Sequence, residues 1–191
     1  MTTIEFFYDV SSPWTYFACD RIEAFCERNG ADLVWKPFLV GGVFNKVNPS
    51  VYQRRENAVP PKDAYYQKDM QDWARYQGIE MIKPSVFPLN SVKALRGAFV
   101  AIDEGKVGAY SRTCFEAYWR DDKDLSQEDV LREVVISVGM DADSFFERIA
   151  DDAVKRRLFE TTDDLIARGG FGSPTFFIDG ASLFPRQPGK T

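Results

Sequence analysis

Apolar positions along this chain follow first a strand period and then a helix period, and each change of period marks an element. Thr3 to Tyr8 is β-rich and largely apolar, which predicts a buried parallel strand. Ala18, Ile22, Phe25 and Cys26 then recur at helical spacing. Ser12 and Pro13 suit the N-cap and first turn of that helix, and Gly30 suits its left-handed stop. Asp32 to Leu39, DLVWKPFL, reads as a second strand, with Pro37 disfavouring a central position for its far end. The first forty residues thus predict a β-α-β unit with a right-handed crossover.

Gly41 to Pro61 has Gly, Asn and Pro punctuation without a clean period, which predicts a loop. From Lys62 the pattern turns helical for about a hundred residues. Tyr66, Met70, Trp73 and Ala74 form one stripe, stopped by Gly78. Val92, Leu95, Phe99 and Ile102 form a second, opened by Asn90 or Ser91 and punctuated by Gly105 and Gly108. Tyr110 to Arg120 is a third, aromatic-rich helix. Ser126 to Asp129 resembles a capping box ahead of Val130, Val134 and Val138, a helix that Gly139 ends. Asp143 to Ile149 predicts a short helix, and Val154, Leu158, Leu165 and Ile166 a last one before Gly169-Gly170. Strand character returns at Pro174 to Ile178, followed by an Asp179-Gly180 hairpin signal and a return strand at Ser182 to Phe184. The fold class this implies is α/β: a thioredoxin-like β-α-β … β-β with an inserted all-α domain. The expected division is 1–44, 45–168 and 169–191. The tail PRQPGKT has no apolar stripe, so the helix that normally closes such a fold is expected to be missing.

Composition narrows the chemistry. The 191 residues suit one large domain, or one domain with an insertion. Twenty-four basic against 29 acidic residues give −5, without a basic stripe, so nucleic acid is not an expected partner. There is no histidine, which removes His-based triads, general bases and metal ligands together. Cys19, Cys26 and Cys114 form no C-x-x-C and read as small core residues in a reducing, cytoplasmic protein. Ser12 and Thr15 stand where a disulfide oxidoreductase needs its paired cysteines. No metal site is expected, and no stretch suggests a signal peptide or a membrane span.

Ser12 has two readings. It is a plain N-cap, or it is a hydroxyl placed where a helix N-terminus favours an anion such as a thiolate. Pro174 likewise is a strand-entry proline or, if cis, a device that turns the backbone N–H and C=O of Ser173 toward the first helix. Those two groups would then pair with a peptide ligand.

Residues 5–20, EFFYDVSSPWTYFACD, resemble the first motif of the 2-hydroxychromene-2-carboxylate isomerases, relatives of the kappa-class glutathione transferases within the DsbA-like thioredoxin folds. The resemblance continues through Gly41 to Phe44, Asn48-Pro49, Pro61-Lys62, Phe87 to Ser91 and Phe171 to Thr175. It implies glutathione as cofactor, with Ser12 as the catalytic group bonded to the glutathione sulfur. It implies that Ser173, beside a cis Pro174, pairs with the cysteinyl part. Asn48 and Lys62 would line the tripeptide pocket, with Asn48, Pro61, Lys62 and Asn90 facing a small aromatic keto acid. On residues alone, Asn48 and Asn90 also fit turn and cap positions, and Lys62 a solvated first turn. Trp14, Phe44 and Phe87 suit an apolar wall or ordinary core packing. The resemblance further implies a homodimer. In Phe184 to Pro188, Pro185, Gln187 and Pro188 stand where the family carries Gly, Asp and Arg after the hairpin. Isomerase, kappa-like transferase and non-catalytic thiol-peptide binder are the three functions that follow.

Overall fold

The computed structural model describes residues 1–182. Four strands form one sheet in the order β2-β1-β3-β4: β1 Thr2–Tyr8, β2 Ala31–Pro37, β3 Thr175–Ile178 and β4 Ala181–Ser182. β1 runs parallel to β2 and antiparallel to β3, and β3 returns antiparallel to β4. β2 is an edge strand, which accommodates Pro37. Asp179 and Gly180 take positive φ, +48° and +79°, as a two-residue hairpin loop requires.

β1 is covered on both faces. Ile4, Phe6 and Tyr8 enter the large core shared with the helices. Phe7 enters a second cluster with Phe38, Val43, Leu165 and Phe177. α1 Pro13–Asn29 links β1 to β2, and Gly30 ends it at φ +60° with its N–H bonded to the Cys26 and Glu27 carbonyls. Then follow α2 Val40–Val47, α3 Ser50–Glu56, α4 Pro60–Gln77, α5 Val92–Asp103, α6 Val107–Trp119, α7 Glu128–Ser137, α8 Ala142–Ala150 and α9 Asp152–Ala167. The β-α-β … β-β order with inserted helices is therefore present.

Several local expectations are corrected. The stretch expected to be a loop at Gly41 to Pro61 holds α2 and α3. Docking overrides propensity there: Val43 is buried in the second cluster, and Gly42 lets α2 approach α9, since a Cβ on it would stand 3.3 Å from Thr162 Cγ2. Pro49, with φ −65°, is the N-cap of α3. Gly108 lies inside α6 instead of punctuating a helix; a Cβ there would meet Glu23 Oε1 at 2.1 Å. The expected capping box does not form, because Ser126 gives its N–H to the Asp124 carboxylate at 2.9 Å and Gln127 becomes the N-cap. α8 starts earlier than expected, capped by Asp141 accepting from the Ser144 N–H at 2.8 Å. Phe25 and Trp73 keep the helical period but are 45% and 44% exposed. The Leu183–Phe184 end of the return strand and the question of a closing helix lie outside the described residues.

An ion pair crosses the second face of β1. Arg168 binds Glu5 with two bonds, 3.0 Å and 2.5 Å, while its guanidinium sits 3.6 Å over the Phe177 ring. Arg168 holds the Glu5 carboxyl below its ordinary value of 4.5, against the opposing effect of burial. A depressed folded-state pKa means the stabilisation is present above about pH 4.5 and is lost as pH falls through the folded value.

Two stability measurements follow. Glu5→Gln lowers unfolding free energy by about 1.5–3 kcal/mol at neutral pH in urea titrations, the range of a charge-assisted bond. That gap to wild type closes as the pH falls through the depressed folded-state value, below the ordinary 4.5. A Cβ on Gly97 in α5 would lie 2.3 Å from Phe145 Cζ and 2.4 Å from Tyr110 Oη. Gly97→Ala therefore overpacks a rigid aromatic contact, with an expected loss of about 1–3 kcal/mol by the same method.

Candidate active site

The site is built where β1 stops. Asp9 follows the strand and is fully buried. Its carboxylate accepts the Ser11 N–H and the Val40 N–H, both at 2.9 Å. The buried Ser91 hydroxyl also favours its charged form. Burial pushes the Asp9 pKa up, and these donors oppose that effect. The Asp9 carbonyl accepts the Ser12 N–H at 3.1 Å, which pins the start of α1.

Ser12 is the N-cap of α1 with extended backbone, and its carbonyl accepts the Thr15 and Tyr16 amides at 3.2 Å and 3.3 Å. Its hydroxyl does not cap the helix. Oγ donates instead to the Ser173 carbonyl at 2.9 Å. The Ser173–Pro174 peptide is cis. Ser173 Oγ accepts the Asp9 N–H at 3.0 Å and shares a 2.7 Å bond with Thr15 Oγ1. Three hydroxyls, Ser12, Thr15 and Ser173, thus meet at the mouth of a 17-residue helix, where the helix dipole favours negative charge.

The other expected site residues fall around this centre at different removes. Asn48 ends α2; its Nδ2 donates to the Phe171 carbonyl at 3.2 Å, and its Oδ1 accepts from Ser50 Oγ at 2.7 Å. It therefore braces the segment leading into Ser173. Pro61 and Lys62 lie in the first turn of α4 and line a pocket of about 380 Å³ with Arg54, Tyr65, Tyr66 and Asp69. That pocket is tied to α1 by Trp14, whose Nε1 donates to Tyr66 Oη at 3.1 Å. Asn90 is exposed, and its Oδ1 accepts the Val92 N–H at 3.3 Å at the start of α5. Among the described residues no hydrogen bond joins Asn90 or Lys62 to Ser12. Trp14, Phe44 and Phe87 do not stack on one another; they pair respectively with Tyr66, Tyr52 and Trp119.

Sequence reasoning missed Asp9, Thr15, Ser91, Tyr66 and Arg54 as parts of the site. An acid placed directly between an aromatic strand and a Ser-Pro helix start is a signal for Asp9. The sequence marks Thr15 only as standing at a redox-cysteine position; its contact with Ser173, far away in sequence, is what brings it into the site.

All three cysteines are buried, and none stands at a helix start. Burial raises the pKa of each thiol, Cys114 to about 12. The chain therefore offers no reactive thiolate of its own. Among the described residues no group of three or more His, Cys, Asp or Glu side chains is arranged to hold a metal. No helix among them is long and apolar enough to cross a membrane.

The DSBA-like thioredoxin domain family matches residues 3–190. A 2-hydroxychromene-2-carboxylate isomerase of Pseudomonas sp. (strain C18) is 28% identical over 178 residues, covering 92% of this chain and 81% of the relative. Glutathione s-transferase kappa 2 of Caenorhabditis elegans is 30% identical over 190 residues, covering 92% and 80%. A solved 2-hydroxychromene-2-carboxylate isomerase superposes with a TM-score of 0.81 at 25% identity, over 95% of this chain and 88% of that one. The chain belongs to the DsbA-like thioredoxin family, in its branch of 2-hydroxychromene-2-carboxylate isomerases and kappa-class glutathione transferases.

Proposed function

We propose that this protein is a glutathione-dependent isomerase that interconverts 2-hydroxychromene-2-carboxylate, or a close aromatic keto acid, with its trans-o-hydroxybenzylidenepyruvate form in aromatic hydrocarbon catabolism. We further propose that it works in the cytoplasm as a homodimer. One observation carries the reading: the Ser12 hydroxyl stands at the start of α1, unused as a cap and, among the described residues, bonded to the Ser173 carbonyl, in a chain whose own thiols are all buried.

The residues present fit glutathione. Ser12 Oγ is a donor whose present acceptor is a neutral carbonyl, and α1 adds a field that favours an anion. Glutathione, when bound, supplies the nucleophilic sulfur that this chain lacks. Ser12 would hold that sulfur charged by donating its proton into a hydrogen bond; each tenfold preference for the charged form is worth about 1.4 kcal/mol. Ser173 and Pro174 would hold the peptide backbone, with Asn48 bracing the Phe171 to Ser173 segment. Thr15 positions Ser173 through the 2.7 Å hydroxyl bond. Pro61, Lys62 and Asn90 would border the keto acid.

A kappa-like transferase is the second reading, favoured by the 30% identical kappa-class relative. The same site would serve it, and only the fate of the sulfur adduct differs. Purified protein with glutathione is therefore assayed on the chromene carboxylate and on an aryl halide; turnover of the acid with little conjugation of the halide supports the isomerase.

Ser12→Ala is expected to lower kcat for the isomerisation by about tenfold or more, the size of one lost charge-assisted bond at a reacting anion. Unfolding free energy is expected to change by no more than about 1 kcal/mol, the scale of one ordinary hydrogen bond. Full activity in this variant would remove Ser12 from the mechanism.

A further inference from the structure

The pocket beside α4 contains a residue that the proposed chemistry leaves unassigned. Arg54, on α3, faces Lys62 and Tyr66 across it, its guanidinium carbon 5.7 Å from the Tyr66 ring centroid. Among the described residues neither Arg54 nor Lys62 forms an ion pair. Arg75, Arg120, Arg148 and Arg157 have carboxylate partners, while Arg21, Arg28 and Arg156 share with Arg54 the lack of an ion pair among the described residues; what sets Arg54 apart is that it lines a recess beside a second cation and two tyrosines. Asp69 is the one acid lining the pocket against these two cations, so the lining carries a net positive charge in a chain whose total is −5. Pro61, Tyr65 and Tyr66 supply flat apolar surface, and about 380 Å³ suits a single-ring acid with a short side chain.

We propose that Arg54 is the carboxylate-recognition residue of this pocket, with Lys62 as a second cation, and that it selects aryl-alkenyl carboxylic acids over their neutral counterparts. The arginine fork matches the two oxygens of a carboxylate, whereas the lysine ammonium is a point charge without that directional preference. An aryl ring lies against Tyr66, whose hydroxyl accepts from Trp14 two residues beyond Ser12. Through that bond the pocket is joined to the first turn of α1. That such an acid is the electrophile of the reaction rests on the proposed function; that the pocket binds the acid does not.

The test reads binding in the full chain, using quenching of tryptophan fluorescence, with trans-cinnamate and its neutral amide, cinnamamide, as the two probes. Wild type is expected to bind cinnamate about tenfold or more tightly than cinnamamide, as a charge-assisted bidentate contact implies. Arg54→Ala should reduce that ratio to about twofold or less, and Arg54→Lys should leave it between the two. An unchanged ratio in Arg54→Ala overturns the proposal, as does a wild type that binds neither probe or shows no preference. Ser12→Ala separates the two claims. If Ser12→Ala keeps full turnover while Arg54 still governs acid preference, the isomerase reading fails and the subsite stands. If Ser12→Ala loses turnover while the preference ignores Arg54, the subsite fails and the isomerase reading stands.

Discussion

The buried carboxylate of Asp9 is the constraint on which the site depends. Its two oxygens gather amide donors from Ser11, at the start of the first helix, and Val40, at the start of the second. Ser91, just before the fifth helix, also lies against it. Three separate chain segments therefore converge on one acid at the end of the central strand. A buried carboxylate without such donors would be expensive; with them it becomes a fixed junction. The same residue's amide and carbonyl reach Ser173 and Ser12. The relative placement of Ser12 and Ser173, 161 residues apart in sequence, is thus set by main-chain bonds to a single position.

This arrangement allows chemistry without histidine or an accessible thiol. Hydroxyls do not carry charge near neutrality; Thr15 and Ser173 orient each other through a shared hydroxyl bond, and the Ser173 carbonyl orients that of Ser12. In the proposed function the protein's part is position and field, and the reacting sulfur comes from outside. The central sheet supports this by immobility: Phe6 and Phe7 point to opposite cores, both fully buried, so the strand ending in Asp9 is clamped from above and below.

Much of the fold was legible because periods change sharply in the sequence. Thr3 to Tyr8, the Ser12-Pro13 start and the Gly30 stop each follow from local chemistry, and all appear as expected. The second and third helices were not legible, because Gly41-Gly42 and Pro49 read as breakers until the contact of Gly42 with Thr162 is seen. The failed capping box has a similar origin: Asp124, two residues upstream, competes for the Ser126 amide. In the site, Ser12 and Ser173 were visible as special positions. Thr15 stood out only as a non-cysteine at a redox position, and Ser91 and Tyr66 not at all, since their contribution is a contact with a distant segment and not a local pattern.

The bond from Ser12 Oγ to the Ser173 carbonyl has a thermodynamic consequence. The hydroxyl is already committed, so an arriving ligand obtains it by exchange and gains only the difference between two acceptors. A neutral thiol or alcohol is no stronger an acceptor than an amide carbonyl and gains almost nothing from the swap. A charged sulfur is a stronger acceptor and gains a margin. For the ligand of the proposed function, the resting contact would thus act as a threshold, favouring charged acceptors over weak ones.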